Sequence, residues 1–224
     1  MAPTTAEQAE AAKKSPPSPP DFVAWLQARQ KALTIIVVAV AVVGLAGWYV
    51  MESGRRKQSQ AVDALDRARA SMDAGNLPEA STELQKLAQT YAGTDAALEA
   101  TLALNQVRLM SGQAQLAVDE LKKFAAAAPP GAFGAAAHSH LAMALENTGK
   151  MPEATAGYLK AAELAPDAFR KVDALLAAAR TYRLAGKKQE AIALLQDLIK
   201  KYPKEQAGVA EAQVRLAELT KGQT

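Results

Sequence analysis

Four short stretches decide how this chain folds: Gly75-Asn-Leu-Pro-Glu-Ala80, Gly112-Gln-Ala-Gln-Leu-Ala117, Gly149-Lys-Met-Pro-Glu-Ala154 and Gly186-Lys-Lys-Gln-Glu-Ala191. Successive glycines lie 37 residues apart in all three intervals. Each glycine closes one apolar-periodic stretch and each alanine lies inside the next, which is the chemistry of a tight helix–turn–helix. Glycine relieves the helix C-terminus, and alanine lets two helices approach closely. Pro129, Pro166 and Pro203 stand seventeen residues after the last three glycines and end the second helix of each pair, with Ala92 in that place in the first repeat. The spacing predicts helix pairs over 57–74/77–90, 94–111/114–127, 133–148/151–164 and 168–185/188–201, then a last helix over 205–220 whose polar outer face caps the stack.

In the same register, the small first-helix position holds Ala68, Ala142 and Ala179, with Asn105 departing, and the large second-helix position holds Leu84, Leu121, Tyr158 and Leu195. These residues, with the turn Gly, the Ala and the Pro, resemble tetratricopeptide (TPR) repeats. The period is three longer than the thirty-four usual in that family. The aromatic residue expected late in the first helix survives only as Tyr182, with Ser71, Arg108 and Leu145 elsewhere. The fold expected is all-α: a TPR-like α-solenoid of four helix pairs plus a C-terminal capping helix.

N-terminal to the repeats, Ala32 to Met51 is a run of twenty uncharged residues, ALTIIVVAVAVVGLAGWYVM. As a helix it would be about 30 Å long, the thickness of the hydrocarbon layer. Trp25 on one side and Trp48 with Tyr49 on the other are placed as interfacial anchors. Arg29 and Lys31 close the near end, and Arg55, Arg56 and Lys57 the far end. A cleaved signal peptide fits poorly, because thirty-one residues precede the run and no small-residue cleavage site follows it. One N-terminal transmembrane helix is therefore expected, over about 32–51. Charge alone leaves its orientation open, since both flanks are basic. Ala41, Gly44 and Gly47 recur every three residues without true GxxxG spacing, so a lipid-facing helix outweighs a helix-packing face. Only Gly54 interrupts the path into the first repeat, so a nearly continuous helix is expected there.

These signals divide the chain into a disordered Pro-rich tail over 1–21, a membrane-anchor region over 22–54 and a repeat domain over 55–224. The tail composition cannot bury enough to order itself, and its SPPSPP end reads as a solvated spacer.

Of 26 basic and 23 acidic side chains, residues 1–57 hold seven and four, which leaves 19 of each in the remainder. The net charge of +3 thus surrounds the apolar run and supplies no basic stripe for a nucleic acid. Cysteine is absent, which removes disulfides, thiolate metal sites and cysteine nucleophiles. The two histidines, His138 and His140, point about 200° apart around a helix and cannot chelate one ion together. Gly131-Ala-Phe-Gly134 lacks the strand of a phosphate loop. Charged pairs such as Asp119-Glu120, Lys122-Lys123, Lys187-Lys188 and Lys200-Lys201 read as solvated faces, with a partner-binding rim as the alternative. No catalytic residue, metal or cofactor is expected, and the chain is not expected to be an enzyme.

The resemblance to TPR arrays implies binding in an inner groove. By register its residues are Leu65, Arg69, Leu102, Gln106, Ser139, Met143, Leu176 and Arg180, with His140 and Arg183 nearby. The Lys/Asn pattern of a carboxylate clamp is missing. The groove reads as apolar with a few basic residues, suited to extended or amphipathic polypeptide.

The order of elements also resembles the YfgM family of bacterial inner-membrane proteins, through Phe22-Val-Ala-Trp25 before the run and Gly47-Trp48 at its end. That resemblance implies a cytoplasmic N-terminus and a periplasmic repeat domain. It further implies an ancillary role at the SecYEG translocon, with periplasmic chaperones such as the isomerase PpiD and emerging client chains as partners. The competing expectation is an accessory or assembly scaffold subunit of another membrane complex.

Overall fold

The computed structural model describes residues 29–220, without the side chains of residues 30, 32, 33, 36 and 37. The expected tail, Phe22-Val-Ala-Trp25 and residues 221–224 lie outside this range. The helices are α1 (Gln30–Asp73), α2 (Leu77–Thr90), α3 (Asp95–Met110), α4 (Ala114–Ala126), α5 (Ala132–Asn147), α6 (Met151–Leu164), α7 (Ala168–Leu184), α8 (Lys188–Lys201) and α9 (Gln206–Thr220). No strand occurs among the described residues. The chain divides into two units, Met1–Arg55 and Arg56–Thr224.

Helices α2 to α9, and the C-terminal end of α1, fall within a residue or two of their expected ends, and the turn chemistry explains why. Gly75, Gly112, Gly149 and Gly186 adopt φ of 75°, 74°, 77° and 75°. This left-handed conformation costs a residue with a Cβ about 1–2 kcal/mol. In each turn the glycine N–H donates three residues back, as Gly75 to the Met72 carbonyl at 2.9 Å, and the following N–H donates five back, as Asn76 to Ser71 at 2.9 Å. Gln113 to Arg108, Lys150 to Leu145 and Lys187 to Tyr182 repeat the second bond at 2.8, 2.9 and 2.9 Å. This doubly bonded Schellman closure uses carbonyls that the helix end would leave orphaned.

The links between pairs are capped differently. Thr94 Oγ1 accepts the Ala97 N–H at 3.2 Å ahead of α3, and Asp167 Oδ1 accepts the Arg170 N–H at 2.8 Å ahead of α7. That backbone bond holds the Asp167 carboxyl below the usual carboxylate range.

The core is a row of small clusters, each shared by neighbouring helices. Ala61, Leu65, Ala68, Leu84 and Leu87 of the first pair pack with Ala97, Ala100 and Leu104 of α3. Val172, Leu176, Leu195 and Leu198 pack with Ala212 and Leu216 of α9. Such neighbour-only packing defines a solenoid. All four repeat alanines, Ala80, Ala117, Ala154 and Ala191, are fully buried, as are Leu84, Leu121, Tyr158 and Leu195 to within 2%. Two close approaches need glycine: a Cβ on Gly157 of α6 would meet Ala142 Cβ at 2.9 Å, and one on Gly208 of α9 would meet Val172 Cγ1 at 2.2 Å.

Two departures from the TPR pattern, Ser71 and Arg108, are compensated across the hairpin. Ser71 Oγ donates to Glu83 Oε2 at 2.9 Å, and at the equivalent positions one repeat later Arg108 pairs with Glu120. Asn105, fully buried in the small-residue slot, donates to the Thr101 carbonyl at 2.8 Å and accepts from Arg108 at 3.2 Å. A buried polar side chain is tolerated because its bonding groups are used.

In the first unit, the described large apolar side chains from Ile35 to Met51 are exposed on helical backbone, Val43 at 71% and Tyr49 at 69% among them. Among the described residues no helix is long and apolar enough to cross a membrane. The expected span 32–51 includes four residues whose side chains lie outside the description.

Candidate functional site

The odd-numbered helices α3, α5 and α7 carry most of the candidate residues, and their exposed sides enclose open clefts. One, about 500 Å³, is lined by Glu99 and Leu102 of α3, Phe133, Ser139 and His140 of α5, and Phe169 and Asp173 of α7. A second, about 350 Å³, lies between α7 and α9, with Val172 and Leu176 in its lining and Glu205, Gln206 and Glu211 on its other wall. A third, about 120 Å³, holds Arg180, Arg183, Arg215 and Glu218.

The structure thus brings Leu102, Ser139 and His140 into one cleft, puts Leu176 in the second and Arg180 and Arg183 in the third. Leu65, Arg69, Gln106 and Met143 line none of these three. Leu65, Leu102 and Leu176 are buried and serve the core, while Arg69, Gln106, Met143 and Arg183 are exposed.

The charges differ most from the sequence reading, because two of the groove arginines are already paired. Arg69 of α1 pairs with Glu99 of α3. Arg180 of α7 grips Glu146 of α5 with two bonds, Nε to Oε1 at 3.1 Å and Nη2 to Oε2 at 2.8 Å. Tyr158 Oη donates to the same Oε2 at 3.1 Å. Burial and the Glu146 charge push the Tyr158 hydroxyl pKa upward, and the Glu146 bond raises that of Arg180. This triad ties α5, α6 and α7 together and removes Arg180 as a free cation.

His140 lines the large cleft, yet its Nδ1 is turned inside with no hydrogen-bond partner. Burial lowers its pKa, so the ring is neutral at pH 7. His138 is also held low, by burial and then by Lys160. Among the described residues no group of His, Asp or Glu is arranged to hold a metal ion.

Of the expected membrane-interface residues, Trp25 lies outside the described range, while Arg29, Lys31, Trp48, Tyr49, Arg55, Arg56 and Lys57 are exposed. Lys57 Nζ donates to the Ala92 carbonyl at 2.9 Å, which commits it to the link after α2.

Sequence reasoning missed Glu146, Phe133, Phe169 and Asp173. The phenylalanines carried a signal, since the chain has only four and these two stand outside the aromatic slot of the repeat.

Helical hairpins in 37-residue register, closed by one turn geometry and stacked through small residues, define a TPR-like repeat protein, a class of protein–protein interaction module. The chain belongs to the tetratricopeptide repeat-like domain family, whose sequence model matches residues 24–171, and a further tetratricopeptide repeat matches 173–205. Among solved structures it is similar to nearly identical TPR-like repeats of Podosopora anserina, at 21% identity and a TM-score of 0.61, covering 74% of this chain and 87% of that one. A tetratricopeptide repeat protein from Parabacteroides merdae gives 12% identity and a TM-score of 0.56, over 73% and 61% of the two chains. The MamA protein gives 18% and 0.52, over 72% and 87%. These likenesses concern the fold. No curated protein sequence matches the chain.

Proposed function

We propose that this protein is a membrane-tethered TPR module. In this reading it binds partner or client polypeptides along its first helices, as an ancillary factor of a SecYEG-type translocon working with periplasmic chaperones. The observation that carries the tether is the row of exposed apolar side chains from Ile35 to Met51 on helical backbone, followed by Arg55, Arg56 and Lys57. In water such a row would be costly, whereas lipid would cover it. The family match from residue 24 takes in this stretch together with the first repeats, which supports reading them as one architecture. The N-terminus is assigned to the cytoplasm and the repeats to the periplasm of the bacterial inner membrane.

One observation favours the second reading, a scaffold subunit of another membrane complex. Leu116 stands where the other repeats carry Glu79, Glu153 and Glu190; it is exposed in the first turn of α4, and Met110 is exposed at the end of α3. These two exposed apolar residues line none of the three clefts and would suit a permanent neighbour.

Crosslinking and pull-down from native membranes through a C-terminal tag, with protease protection of that tag scored in parallel, separates the two. A tag outside the cytoplasm that recovers translocon subunits and periplasmic chaperones upholds the first reading. A cytoplasmic tag, or one stoichiometric complex of another kind, overturns it.

A further inference from the structure

Phe169 and Asp173 stand four residues apart on one face of α7, and both line the two larger clefts, so they form the ridge between them. Phe169 is 69% exposed, and Phe133 supplies a second aromatic wall to the 500 Å³ cleft. Among the described residues neither Asp173 nor Glu205 has an ion-pair partner, while Glu211 is shared with Arg215. Arg170, which lines the large cleft, pairs with Asp167, and Arg69 pairs with Glu99 of the same lining. The 350 Å³ cleft has Asp173, Glu205 and Glu211 in its lining and no basic side chain.

We infer that this face selects polypeptide segments carrying a Lys or Arg beside a large apolar side chain, and that the ridge residues Phe169 and Asp173 read that pair. The inference rests on the groove reading above and names its ligand class. The apolar side chain enters the large cleft against Phe133 and Phe169, where burial drives binding. The cation crosses the ridge, with the Phe169 ring beneath it and the carboxylates of Asp173 and Glu205 on the far side, so ring and charge attract it together. An acidic segment meets the same two unpaired carboxylates and finds its candidate cations Arg69 and Arg180 already bonded, so rejection is built in alongside attraction. The ion pairing of Arg69 and Arg180 therefore leaves the carboxylates of the ridge to set the selection, although register placed those arginines in the groove.

The test uses the full chain in nanodiscs of neutral phosphatidylcholine, with empty nanodiscs as the blank. Two fluorescein-labelled decapeptides share the same Leu and Phe residues, one with Lys and the other with Glu between them, and binding is read by anisotropy. The expected result is Lys-peptide affinity at least about tenfold above the Glu peptide, a gap that narrows as salt rises. Asp173→Asn with Glu205→Gln should weaken the Lys peptide by about tenfold, on a few-fold per exposed pair. The salt series needs no variant and stands even if that double variant misfolds. Equal binding of the two peptides, or a preference that ignores both salt and the substitutions, overturns the inference. If both peptides bind equally and Phe169→Ala weakens both, charge selection falls while the groove reading stands. If neither peptide binds, the groove reading falls with it.

Discussion

Arg180 and Glu146, 34 residues apart in sequence, meet through two parallel hydrogen bonds of 3.1 and 2.8 Å that join one repeat to the next. Glu146 also receives the Tyr158 hydroxyl, so three helices depend on one carboxylate. Glu146→Gln is expected to destabilise the repeat domain by about 1–2 kcal/mol, since charged hydrogen bonds carry more than neutral ones but Arg180 is partly exposed. A double-mutant cycle with Arg180→Met, read from denaturation midpoints, should show a coupling near 1 kcal/mol. Purely additive effects would mean the pair contributes nothing.

Gly208→Ala places a methyl against Val172, where the distance is 2.2 Å, so α9 must shift off α7. Overpacking of this kind costs about 1–3 kcal/mol. Because α9 ends the stack, the expected readout is early proteolysis after α8 with the preceding repeats intact. Val172→Ala in the same chain should restore resistance by opening the space, which a backbone effect of the alanine alone would not allow.

Gly149→Ala forces a Cβ into a φ of 77° in a turn with open space around it. The expected loss is about 1 kcal/mol from strain alone. The same change at Gly112 should cost a similar amount, and the two should add because they lie in different repeats. Circular dichroism melts of the single and double variants check this. Unequal losses would show that the turns are not equivalent.

His138 and His140 are both held below their ordinary pKa of about 6.5, chiefly by burial. The unfolded chain therefore takes up protons first as pH falls. Their contribution is complete above about pH 6.5 and is lost as acidification proceeds toward the folded values. Unfolding midpoints should drop between pH 7.5 and 5.5. His140→Leu should flatten that drop, and it also removes the unpartnered Nδ1. An unchanged pH profile in His140→Leu would place the titration elsewhere.

The helical hairpins were legible in the sequence because their signals are local. A turn glycine, the alanine five residues on and a proline or N-cap at the next link each act within a few residues of backbone, so α2 through α9 fall almost where the spacing puts them. The candidate site was legible only in part. Register marked Leu102, Ser139 and His140, which do share a cleft, but it counted buried Leu65 as surface and two bonded arginines as free. Likewise register showed only that Ser71 and Arg108 replace the aromatic residue of the repeat. In the structure Glu83 and Glu120 answer those residues from the second helix.

By itself, then, the sequence determined the repeat, its period and its turn geometry, since those follow from the conformational limits of single residues. Only the tertiary structure decided which charges remain available, because Arg69 with Glu99 and Arg180 with Glu146 are joined by how successive repeats stack. That stacking angle is set by packing between helices about thirty residues apart, and no local pattern encodes it.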